Sequence, residues 1–156
     1  AFYELGMFLI EVKALGVLQI EKEQSAARKE SNIKKQIKKG ITQTIGAYNS
    51  IKQNLPVTDN KGKTINFKRK IVPHCIILVS DLSYISSDLN KLKEIVNHTM
   101  QKESVFIHIM DFIEFMKYIK VAEGNIVKFN YYLIERLNKC YEANALYVKT
   151  VFEKEK

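Results

Sequence analysis

Phe8-Leu9-Ile10-Glu11-Val12-Lys13-Ala14 is the stretch from which the rest of the chain can be understood. Three apolar residues of strand character run into a carboxylate and an ammonium two positions apart. Side chains alternate between the two faces of an extended strand, so Glu11 and Lys13 project from one side and Val12 is expected to point into the core. An acid and a base side by side at the rim of a buried strand can hold a divalent cation and handle a proton. That chemistry suits a metal-dependent phosphodiesterase. The bland alternative is an edge-strand ion pair contributing about 0–1 kcal/mol.

Working outward, residues 2–20 read as a strand hairpin: Phe2-Tyr3 ends one strand, Glu4-Leu5-Gly6 turns, and Met7 to Lys13 forms the second. After Gly16, Val17 to Ile20 continue as extended chain. Residues 21–31 are polar and mixed in charge, a loop or the exposed start of a helix, with Ser31 or Asn32 as N-cap. The spacing of Ile33, Ile37, Ile41, Ile45, Tyr48 and Ile51 predicts an amphipathic helix from Ile33 to Gln53. Lys34, Lys35, Lys38, Lys39 and Lys52 lie outside its apolar stripe. Along one flank Gln36, Gly40, Gln43 and Ala47 form a strip of small and amide residues, where another backbone or a ligand can approach closely. Gly40 and Gly46 each cost about 1 kcal/mol of helix propensity, so the helix is expected to bend or end early.

Leu55-Pro56 breaks that helix, Asp59 to Lys63 reads as a turn or hairpin tip, and Lys68-Arg69-Lys70 is a short basic patch. Ile71 to Ser80 is β-branched and nearly uninterrupted, as in a central strand covered on both faces. Asp81 and Ser83 close it, and Ser86-Ser87-Asp88 caps a helix carrying Leu89, Leu92, Ile95, Val96 and Met100. A short strand, Val105 to Ile109, leads at Met110-Asp111 into a helix with Phe112, Phe115, Met116 and Ile119. Gly124-Asn125 separates this from a last helix, Ile126 to Tyr141. Strands interleaved with helices imply an α/β fold, a small mixed β-sheet flanked by helices.

The chain has 156 residues, enough for one domain with its own core, and we read residues 1–156 as that single domain. Hydrophobic content is 46%, and no apolar run approaches the ~20 residues that cross a bilayer, so no membrane association is expected. The opening Ala1-Phe2-Tyr3-Glu4 lacks the basic start of a signal peptide. With an apolar strand so near the beginning, further residues are expected to precede Ala1. Cys75 and Cys140 show no metal or redox spacing, which fits two reduced thiols in a cytoplasmic protein.

The net charge of +8 is concentrated. From Arg28 to Lys70 there are twelve Lys and Arg against two acids, and the rest of the chain is slightly acidic. A local basic excess is the footprint of a phosphate-backbone binder. Because only three of the 25 basic residues are Arg, a solvated lysine-rich surface is the competing explanation. The candidate nucleic-acid contacts are Lys34, Lys35, Lys38, Lys39, Lys68, Arg69 and Lys70.

Gly6-Met7-Phe8-Leu9-Ile10-Glu11-Val12-Lys13, in a hairpin followed by a helix, a buried strand and more helices, resembles the PD-(D/E)xK nuclease superfamily, with its restriction-endonuclease-like fold. The glycine turn before a strand ending Glu-Val-Lys is most similar to the nuclease-related-domain branch. The resemblance spans most of the chain in layout and about eight residues in sequence. It implies a Mg²⁺- or Mn²⁺-dependent endonuclease or exonuclease acting on nucleic acid, DNA foremost. It makes Glu11 a metal ligand, the Val12 backbone carbonyl a second, and Lys13 the residue that orients or deprotonates the attacking water. Acting as the base would require desolvation of Lys13, and Glu11 and a bound metal would pull on it in opposite directions, so positioning and charge stabilisation are the main roles the resemblance implies for it.

The family's other acid, an Asp on the preceding strand, has no counterpart here. Glu4 is the sole earlier acid; it sits in the turn and is the weaker candidate for that metal-ligand position. Either the Asp lies upstream of Ala1 or the site is inactive, leaving a nucleic-acid-binding or protein-interaction domain of the same fold. Exonuclease members carry Gln-x-x-x-Tyr on the following helix. Gln43 and Tyr48 are one residue too far apart for that pattern, but Gln43 can face the site from its strip. His74 and His108 read as core or rim histidines. Asp81 and Ser80, at the end of the central strand, are weaker candidates. Tyr131, Tyr132 and Tyr141 on the last helix suit a core or homodimer face better than base stacking.

Overall fold

A computed structural model describes residues 2–3, 6–13, 25–65, 72–85 and 89–148. Glu4, Val17 to Ile20, Lys68, Arg69, Lys70 and the Ser86-Ser87-Asp88 cap lie outside the described residues. In chain order the elements are β1 (Phe2–Tyr3), β2 (Gly6–Val12), α1 (Ala26–Lys52), β3 (Pro73–Val79), a 3₁₀ turn (Leu82–Tyr84), α2 (Asn90–Glu103), β4 (Phe106–Asp111), α3 (Phe112–Ala122) and α4 (Ile126–Glu142). The strands form one mixed sheet in the order β1-β2-β3-β4. β1 pairs antiparallel with β2, and β2, β3 and β4 run parallel.

β3 is central, and every residue from Pro73 to Val79 is buried. Its alternation divides the interior in two. Cys75, Ile77 and Val79 share a core with Met7, the isoleucines of α1, and Leu92 and Val96 of α2. Ile76 and Leu78 share the other with Phe8, Met110, Phe115, Tyr118, Phe129 and Leu133, under α3 and α4. The described residues therefore stack as helix, sheet, helix, the layering expected when parallel strands need crossover helices.

α1 starts at Ala26 behind Ser25, not at Ser31 or Asn32. Residues 26–31 carry good helix formers but little apolar periodicity, so the stripe marks only the packed part of the helix. The helix runs unbroken through Gly40 and Gly46. At Gly40 tertiary packing overrides the intrinsic cost, because an added Cβ would stand 2.6 Å from Ile77 Cγ2. At Asp59 the expected tip forms: its carboxylate accepts from the Lys61 and Lys63 N–H groups at 2.8 and 2.9 Å, and Gly62 adopts a φ of +77°.

One correction concerns side-chain placement. Val12 does not enter the core but is 44% exposed, as is Ile10 at 43%. Both lie on the α3–α4 face of β2, beyond the part of the sheet those helices cover. Tyr131 and Tyr141 are likewise exposed, and only Tyr132 packs against the core. Met110 belongs to β4 and is fully buried, so α3 begins at Phe112 with Asp111 as its cap.

Candidate functional site

Glu11 and Lys13 leave β2 on the α1 side of the sheet, as the alternation from Met7 and Leu9 requires. Lys13 Nζ lies 2.6 Å from Glu11 Oε1 and also donates to Gln43 Oε1. The lysine side chain is 11% exposed and the glutamate 28%, so the ammonium is enclosed and the carboxylate more open. The structure thus gathers into one cluster the three side chains singled out from two separate segments.

A short chain of contacts fixes this geometry. Glu11 pairs in register with Ile77 on β3. Ile77 is the residue against which Gly40 packs, and Gln43 lies one helical turn beyond Gly40. A side chain at position 40 would force α1 or Ile77 to shift, directly beneath the turn that carries Gln43. An ammonium has three N–H donors. Glu11 and Gln43 take two, and the third is directed at no described residue. It can meet a phosphate oxygen or a water.

Oxygen ligands for a cation are also at hand. The Lys13 N–H donates to the Leu78 carbonyl at 2.8 Å, so strand alternation turns the Val12 carbonyl toward the outer edge of β2. β1 pairs only with Gly6 and Met7, and no described strand covers that edge at Val12. One carboxylate and one carbonyl suit Mg²⁺, which keeps several waters and commonly takes one or two protein carboxylates. Among the described residues no three His, Cys, Asp or Glu side chains gather into a metal-binding group. Asp81 and Asp111, at the carboxyl ends of β3 and β4, cap instead: they accept from the Ser83 and Glu114 N–H groups, each at 2.7 Å.

The lysines of α1 do not act alike. Lys35, Lys38 and Lys39 are exposed, whereas Lys34 pairs with Glu30 at 2.9 Å. A concavity of about 660 Å³ on that side is lined by Ala27, Glu30, Ser31, Lys34, Lys35 and Lys38. It does not include Lys13 or Gln43.

A second polar cluster lies under α3 and α4. His74 Nδ1 and His108 Nε2 are 2.9 Å apart and their rings stack. Burial holds His74 down to about 4, opposed by a hydrogen bond to Asn130. His108 is pushed well below its ordinary value by burial, then by the nearby His74 and Arg136 charges, and its Nδ1 has no hydrogen-bond partner among the described residues. Beside it, buried Arg136 donates to Glu114 Oε1 at 3.0 Å and to the Ile109 carbonyl at 2.5 Å. The sequence marks each histidine singly as a core or rim residue and carries no signal that they form a pair. The period-two pattern puts each on a definite strand face, but their meeting depends on the β3–β4 register, in which Ile76 stands opposite His108.

No family model matches the chain, and neither does any curated protein or solved structure. The site therefore rests on its own geometry. Among the described residues, no helix is long and apolar enough to cross a membrane.

Proposed function

We propose that this chain is a metal-dependent phosphodiesterase of the PD-(D/E)xK, restriction-endonuclease-like kind, hydrolysing nucleic acid, with DNA as the expected substrate. The observation that carries this reading is the meeting of Gln43 with Lys13 beside Glu11. A solvated edge-strand ion pair has no need of an amide brought in from the neighbouring helix. Glu11 and the Val12 carbonyl would hold Mg²⁺ or Mn²⁺, which when bound supplies charge neutralisation at the phosphate and a reactive water. Lys13, held by Glu11 and Gln43, keeps a donor for a phosphate oxygen or the attacking water. The basic face of α1 supplies sequence-independent backbone contacts.

A second reading is a non-catalytic nucleic-acid-binding or protein-interaction domain of the same fold. It is favoured by Glu11 being the lone carboxylate at Lys13 among the described residues. The two readings part on incubation of the full-length protein with plasmid DNA and Mg²⁺ or Mn²⁺. Metal-dependent cleavage is expected, with Glu11→Ala and Lys13→Ala each losing about a hundredfold or more, and Gln43→Ala losing less. Binding without cleavage by any version would establish the non-catalytic reading.

A further inference from the structure

We propose that the solvent-facing side of α1, carrying Arg28, Lys35 and Lys39 and bordering Gln43, is the track along which a phosphodiester backbone reaches Lys13, and that Lys34 and Lys38 take no part in it. This rests on the nucleic-acid reading above and divides a basic helix into a working and a non-working side.

The azimuth of α1 is fixed by its buried stripe and by the contact of Gln43 with Lys13. At 3.6 residues per turn, Lys39, Arg28 and Lys35 project within about 40–80° of Gln43, whereas Lys38 and Lys34 are about 140–180° away. Along the axis, Lys39 stands about 6 Å from Gln43, Lys35 about 12 Å and Arg28 about 22 Å. All three are exposed, and none makes an ion pair among the described residues.

The helix also overhangs the sheet in the required place. Lys29 Nζ sits 4.8 Å over the ring of Tyr84, in the 3₁₀ turn that follows β3. The first turns of α1 therefore extend past the carboxyl ends of the parallel strands, the side on which α/β sheets receive ligands. On the opposite flank Lys34 is already paired with Glu30, so its charge is committed and that side offers a phosphate less free positive charge. Lys35 borders both regions and belongs to the track by its proximity to Lys39.

The test is binding of the full chain to a labelled random-sequence DNA duplex, without divalent cations, over a range of salt concentrations. Two charge-matched variants are compared, Lys35→Gln/Lys39→Gln and Lys34→Gln/Lys38→Gln, with Arg28→Gln as a third. Each phosphate contact contributes about 0.9 to the slope of log affinity against log salt. The first variant should lose about two units of slope and Arg28→Gln about one, with Lys34→Gln/Lys38→Gln unchanged. Circular dichroism verifies that helix content is retained. Equal loss in both double variants, or loss confined to Lys34→Gln/Lys38→Gln, overturns the track while leaving the nucleic-acid reading in place. Absence of salt-dependent binding by the unaltered chain removes both.

Discussion

Gly40 shows how a single missing atom can govern a site it does not touch. The absent Cβ lets α1 descend onto Ile77, a β-branched residue that is itself fully buried and has no room to turn aside. Gly40→Ala would gain up to about 1 kcal/mol of helix propensity but incur overpacking of about 1–3 kcal/mol, so a net destabilisation of about 1–2 kcal/mol is expected. Gly46 has nothing within 4 Å of its Cβ position, and Gly46→Ala should stabilise by about 0.5–1 kcal/mol. Urea midpoints of the pair measure both signs. At this scale much was legible. The strip of Gln36, Gly40, Gln43 and Ala47 announced a close approach, and the period of two put Glu11 and Lys13 on one side. Val12 was not legible, since its burial depends on how far the opposite helical layer extends over β2.

Among the elements, the parallel strand β3 and the helices were clear from apolar spacing, and the errors gathered at their ends. α1 begins seven residues before its stripe, because residues 26–31 form helix without apolar periodicity. α3 and α4 start at side-chain caps. Asn125 Oδ1 accepts from the Val127 and Lys128 N–H groups at 2.9 and 3.1 Å, and Asp111 from Glu114. Asn125→Ala is expected to cost about 1 kcal/mol. Asp111→Ala should cost at least as much, because the N–H it engages belongs to the residue that pairs with buried Arg136. Thermal unfolding of the two variants checks this order. For the tyrosines of α4, spacing leaves core and dimer face as alternatives, and the exposure of Tyr131 and Tyr141 removes only the core for those two.

For the molecule as a whole, the buried histidine pair ties stability to pH. Unfolded, His74 takes up a proton near its ordinary value of 6.5, and folded only near 4. Between these values the unfolded chain binds more protons, so stability falls as pH falls through that interval. For His74 alone the loss by pH 4 is roughly 3 kcal/mol, and the lowering of His108 acts in the same direction. Denaturation between pH 7 and 4 should therefore show a slope that His74→Phe/His108→Phe flattens. A consequence of the central strand concerns timing during synthesis. β2 and β4 each pair with β3, and Glu11 is matched by Ile77, far along the chain. A polypeptide still emerging from the ribosome would already contain Glu11, Lys13 and Gln43 but would lack the platform that seats Gly40. Closing so long a loop is entropically costly and is repaid only when that strand arrives. The cluster is thus assembled late, as a property of the finished chain.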